Sequence, residues 1–241
     1  VTDTRETTGT RPHPDTPPDD TDATVDLPAA IATHLTGLTG TVIEVGGDPD
    51  TVRALRAAHL DVLSLAAPGT RAGAHADPEA LPLRTGSVAA IVATHRLPAV
   101  DDVDTTLAGF ARVLAPGGRV VIAANALGDR RELRGLWTTA ARDCGVTDPP
   151  PFLDTDARFP LDHAEAWLQR HFTDVTVTPL RGTTTLDADT VLALLRAQRP
   201  TDAGVTWDLL ASVVESRVRD TATTDGGFAL TTLTGIATGT K

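Results

Sequence analysis

The sequence predicts an α/β fold organised on a mostly parallel sheet, and three observations carry that reading. Thr41-Val42-Ile43-Glu44-Val45 is apolar and β-branched, and Gly46-Gly47 and then Asp48-Pro49 follow it. That order reads as a strand buried on both faces, a tight turn, and a helix N-cap with proline in the first turn. Ser87 to Thr94 is apolar nearly throughout, as a central strand requires. Strand-like and helix-like segments then alternate to the end of the chain, the pattern of a βαβ layer.

Residues 1–24 hold eight Thr, five Asp and four Pro, with Val1 and Ala23 as the only aliphatic residues. So little apolar surface cannot offset the entropy of ordering, and a disordered leader is expected. Asp26 caps a predicted helix whose apolar side is Leu27, Ile31, Leu35 and Leu38, with His34 on it. Val52 and Leu55 carry the next helix to about Ala58. Asp61 to Leu65 reads as the second strand and Gly73 to Asp77 as a brief third. Only 12 positions separate Leu65 from Asp77, too few for a helix with its connections, so this crossover is expected to be a turn or loop.

Asp101, Asp102 and Asp104 crowd the start of a helix with Leu107, Phe110, Val113 and Leu114 on one face. Pro116-Gly117-Gly118 ends it, and Arg119 to Ala124 is the predicted fifth strand. Asp129 with Glu132, and Asp162 with Glu165, predict capping-box-like helix starts. The run Asp148-Pro149-Pro150-Pro151 separates those two helices. Val175 and Val177 mark a sixth strand, two more helices follow, and Phe228 to Ala237 closes the sheet. No internal repeat and no domain linker is visible after residue 25, so residues 25–241 read as one domain.

The net charge of −11 argues against nucleic acid or an anionic membrane as a partner. A single cysteine, Cys144, excludes an internal disulfide and a cysteine-rich metal cluster. No run of some 18 apolar residues suggests a membrane span, and a cytoplasmic location is the expectation.

Three segments in fixed order carry a family resemblance. They are the strand-turn-helix start at Thr41–Asp50, Ala76-Asp77-Pro78-Glu79-Ala80-Leu81-Pro82, and Arg112-Val113-Leu114-Ala115-Pro116-Gly117-Gly118. Together they resemble the small-molecule branch of the class I S-adenosylmethionine (SAM)-dependent methyltransferases, over about Leu27 to Ala237. The resemblance implies a seven-stranded, mostly parallel, Rossmann-like sandwich in a single domain, with SAM as cofactor. It matches Glu44 to the acid and Gly46 to the first glycine of the family's glycine-rich turn, with Gly47 between. Asp77, with Glu79 in the same segment, matches the acid that meets the adenine amine. The sequence departs from the pattern at four places. Asp48 and Asp50 replace the second and third glycines, Leu65 replaces the ribose-binding acid, and Ala89 replaces an acid at the start of the fourth strand.

On the acceptor side, His95 follows the fourth strand at the edge where α/β sheets place ligands, and a neutral histidine there can take a proton from a hydroxyl or amine. A loop histidine facing water is the alternative. Asn125, after the fifth strand, is a weaker candidate. His59, His75, His163 and His171 lack ligand spacing, so no metal is expected. Trp137 and Trp167 read as core. Two functions stay open: methyl transfer from SAM to a small molecule, or a methyltransferase-fold protein that has lost SAM and serves as a binding or structural partner. Either is compatible with a homo-oligomer.

Overall fold

The computed structural model describes residues 26–66, 74–146, 158–197 and 204–241. The expected leader, the proline run and the stretch after Ala66 lie outside these residues. The described chain folds as α1 (Leu27–Thr33), β1 (Thr41–Gly46), α2 (Pro49–Ala57), β2 (Asp61–Ala66), β3 (Ala74–His75), β4 (Val88–Thr94), α3 (Val103–Val113) and β5 (Leu114–Asn125). It continues as α4 (Arg131–Asp143), α5 (Leu161–Leu168), β6 (Thr173–Leu186), α6 (Ala188–Ala197), α7 (Val205–Asp225) and β7 (Phe228–Thr240). Short 3₁₀ turns occupy Pro78–Ala80 and Leu97–Ala99.

The strands form one mixed sheet in the order β3-β2-β1-β4-β5-β7-β6. Neighbours from β3 to β5 pair in parallel, whereas β7 runs antiparallel to both β5 and β6. Six strands are of full length; β3 is two residues long, shorter than the expected Gly73–Asp77. The order reverses direction at β1, with β2 on one side and β4 on the other, which opens a crevice at the carboxyl ends of β1 and β4.

Each face of the sheet is covered. On one, Ile43, Val45, Leu65, Ile91, Ala93 and Ile122 pack against Leu107 and Phe110 of α3 and Leu161 and Leu168 of α5. On the other, Val42, Ala90, Val92 and Val121 pack against Ile31 and Leu35 and against Leu55 of α2. Helix α1 is shorter than its apolar spacing suggested, because turns replace it from His34 onward. Pro116-Gly117-Gly118 does not end α3, which stops at Val113; it loops within β5, where Gly117 N–H donates to the Lys241 carbonyl and Lys241 N–H to that of Gly118.

The largest departure is at the far edge. Strand β6 runs from Thr173 to Leu186, well beyond the expected Val175–Val177, and β7 pairs with it over its full length. Strand β5 stops pairing at Asn125, opposite Thr234. The halves Arg181–Leu186 and Phe228–Leu233 therefore rise as a two-stranded ribbon past the carboxyl edge of the sheet. Phe228 and Leu230 on this ribbon join Leu133, Trp137, Leu192, Trp207 and Leu210 in a second core built with α4, α6 and α7.

Two acids expected to cap a helix hold this second core instead. Asp129 accepts from Leu233 N–H at 2.7 Å, and Glu132 accepts from Thr231 N–H at 3.0 Å and its hydroxyl at 2.5 Å. The residue preceding α4 is Arg130, in the left-handed region at φ 47°. Asp162 likewise accepts from Leu127 N–H at 2.8 Å rather than capping α5, whose N-cap is Pro160. Trp137 is buried as expected; Trp167 is half-buried, with Arg170 over its ring.

Candidate functional site at the glycine turn

The crevice is built from the end of β1 outward. Glu44 points into the sheet and is fully buried. Its carboxylate accepts from Gly47 N–H at 3.1 Å, from Asp48 N–H at 3.2 Å and from the Ser64 hydroxyl at 2.6 Å. One side chain thus closes the turn from beneath and ties β1 to its parallel neighbour β2. Burial pushes its carboxyl up from the ordinary value, against the pull of the Ser64, Asp48 and Gly47 donors.

Positive φ is supplied by Gly46 (137°) and Gly47 (77°), so the turn needs no glycine at Asp48. A Cβ on Gly47 would stand 3.0 Å from Cβ of Ala66, so this position packs directly on the end of β2. Asp48 has an extended backbone (φ −75°, ψ 111°) and caps α2. Its carboxylate accepts from Asp50 N–H at 3.3 Å, from Thr51 N–H at 3.1 Å and from the Thr51 hydroxyl. Thr51 lies 3.3 Å, oxygen to oxygen, from Thr94 at the end of β4. Asp50 pairs with Arg53 at 2.7 Å. Both aspartates that replace family glycines therefore have partners within α2, and neither depends on positive φ.

Leu65, at the expected ribose position, is buried in the main core, and Ser64 beside it is committed to Glu44. Asp77 caps the turn at Pro78–Ala80 through Glu79 N–H at 3.0 Å and is otherwise exposed. Glu79 accepts from Asp101 N–H at 2.6 Å, clamping the segment before α3 to the one after β3. At the other side of the crevice, His95 is exposed and held in the left-handed region at φ 49°, its N–H donating to the Ala123 carbonyl at 2.9 Å. Asn125 ends β5 opposite Thr234. Ser64, Thr51 and Arg96 escaped the sequence reading. For Ser64 and Arg96 the one visible signal was polarity inside or just after an apolar strand; Thr51, in the first turn of α2, gave none.

Beyond the end of β5, a cleft of about 400 Å³ lies between α5 and the root of the ribbon. Leu161, Asp162, Glu165, Arg181, Leu233 and Thr234 are among its lining residues. Among the described residues no cluster of His, Cys, Asp and Glu gathers as a metal site. No described helix is long and apolar enough to cross a membrane.

Residues 31–122, from α1 through most of β5, match a family described as the methyltransferase domain. Solved structures agree on the fold. A protein from Anabaena variabilis, provisionally described as a methyltransferase from an antibiotic biosynthesis pathway, is 14% identical, with a TM-score of 0.58 over 86% of this chain and 95% of that one. A provisional methyltransferase from Bacillus halodurans gives 10% identity and a TM-score of 0.54 over 88% and 98%. Phosphoethanolamine N-methyltransferase 2 of Haemonchus contortus, solved with S-adenosylhomocysteine (SAH) and phosphomonomethylethanolamine, gives 12% and 0.50 over 89% of this chain and 52% of its own. No curated protein sequence matches the chain. Residues 31–122 thus match a methyltransferase domain, and the chain shares the fold of these solved structures.

Proposed function

We propose that the protein is a SAM-dependent methyltransferase acting on a small molecule. One observation supports this reading: the matched segment 31–122 contains both walls of the crevice, and its turn takes its positive φ from Gly46 and Gly47, so it forms without glycine at Asp48 or Asp50. Gly46 and Gly47 let the backbone approach the methionine part, while Glu44 fixes the turn from below. Asp77 is assigned the adenine amine, with Glu79 bracing its loop. SAM, when bound, supplies a methyl group already activated by its positive sulfur, so the protein's work is alignment and exclusion of water. His95 is assigned the acceptor's proton, from a hydroxyl or an amine. The cleft below the ribbon has the size of a small-molecule site, and the acidic chain disfavours nucleic acid and membrane partners. Self-association and a cytoplasmic location belong to the same proposal.

The buried Leu65 favours the second reading, a methyltransferase fold that has given up SAM for a binding or structural role. Equilibrium dialysis with radiolabelled SAM separates the two. Saturable, stoichiometric uptake that SAH competes away supports the enzyme; no uptake at millimolar SAM supports the partner protein.

A further inference from the structure

The cleft past the end of β5 is built from faces that the crevice does not use. Side chains alternate along β6, and Val177 packs into the core under α5, so Pro179 and Arg181 share its face. On β7, Gly235 lies opposite Pro179 and Leu233 opposite Arg181. A Cβ on Gly235 would stand 2.5 Å from Leu161 Cδ2, so the start of α5 rests on the ribbon's root at that row. One row farther out, Arg181 and Leu233 line the cleft of about 400 Å³, and α5 contributes Asp162 and Glu165 to the facing wall. The two walls therefore carry opposite charge. Asp162 gives one carboxylate oxygen to Leu127 N–H at 2.8 Å, and Glu165 gives one to the Gln169 amide at 2.9 Å. The second oxygen of each, and the whole guanidinium of Arg181, have no hydrogen-bond or ion-pair partner among the described residues. All three side chains reach solvent, so a ligand meets them without first displacing an internal ion pair. Opposite charges that could pair are instead held apart across an apolar floor of Leu161, Val177 and Leu233.

We infer that this cleft seats the methyl acceptor and that the acceptor is a small zwitterion. Its cationic amine meets Asp162 and Glu165, its apolar stem lies along Val177 and Leu233, and its carboxylate meets Arg181. This rests on the methyltransferase reading and deepens it, since it names the charge pattern of the substrate. A planar guanidinium suits a carboxylate, and charge-assisted bonds at both ends of one ligand fix its direction in the cleft. The position fits an acceptor. His95 N–H donates to the Ala123 carbonyl, and Ala126, three residues and about 10 Å of extended chain farther on, lines the cleft.

The test titrates the full chain calorimetrically with ω-amino acids of four, six and eight carbons, and with the alkylamine and the alkanoate of each length. The wild type should bind one of these amino acids about 10-fold more tightly than the matching amine or alkanoate. R181Q should bring that amino acid down to the level of the amine without weakening the amine. E165Q should weaken the amino acid and the amine alike without weakening the alkanoate. Both unliganded variants should melt as the wild type does, because neither substitution breaks an ion pair. No preference at any length, a preference that survives both substitutions, or a drop of several degrees in either unliganded variant overturns the inference. Dialysis with radiolabelled SAM on the same preparation separates the two readings. SAM uptake with no preferred amino acid overturns this inference alone; a preferred amino acid with no SAM uptake removes the acceptor role together with the methyltransferase reading.

Discussion

Glu44 shows what one residue does in this fold. Resemblance places it as a cofactor contact, and the structure gives it three donors within the protein itself. Its carboxyl is pushed up by burial, so the folded chain holds its proton to higher pH than the unfolded chain does. The stability it contributes is then fullest at low pH and is lost as pH rises through its folded value. The wild type should therefore gain melting temperature relative to Glu44→Gln as the pH falls from 7 towards 5. A difference that is flat, or that moves the other way, would show that hydrogen bonding outweighs burial at this site. Asp48 yields a second prediction. Because it caps α2, Asp48→Ala should cost about 0.5–2 kcal/mol in denaturant unfolding. A neutral result would mean that the cap is made elsewhere. The Asp48 cap was legible in sequence, whereas the partners of Glu44 were not. Ser64 is 20 positions from Glu44 and meets it only because β1 and β2 are parallel neighbours in register.

Among the elements, those buried on both faces were the readable ones. Strands β1 and β4 are continuous apolar runs, and α3 shows a single apolar face because one side of it covers the sheet. Phe110 on that face is fully buried, so Phe110→Ala should destabilise the fold by about 3–5 kcal/mol. A cost under about 1 kcal/mol would mean that the helix is not held by this face. Strand β6 was read short for a physical reason. It is the edge strand, mostly half-buried or exposed, with Pro179 and Gly182 within it, and an edge tolerates residues that a central strand does not. The acids near α4 misled for a different reason. An Asp-x-x-Glu spacing is a local signal, but Asp129 and Glu132 bond to residues 104 and 99 positions away. That pairing is set by the ribbon, which sequence periodicity did not show.

At the scale of the molecule, two cores share one chain. The sheet with its flanking helices forms the first, while the ribbon with α4, α6 and α7 forms the second past the carboxyl edge of that sheet. The α/β class and the order of elements followed from sequence, because alternating buried strands and amphipathic helices admit few topologies. The glycine turn and the Asp77 turn were legible as local motifs and His95 as the residue after a central strand, whereas the Thr51–Thr94 contact needed strand order to bring β1 and β4 together. Whether the crevice holds SAM is the central claim, and binding linkage tests it most directly. A ligand at a hundred times its dissociation constant adds about 2.7 kcal/mol to the folded state, roughly 5–10 °C in melting temperature for a domain of this size. With millimolar SAH the wild type should rise on that scale, and Asp77→Ala should lose most of the rise while melting normally without ligand. No rise in the wild type, or a full rise in Asp77→Ala, would contradict the account.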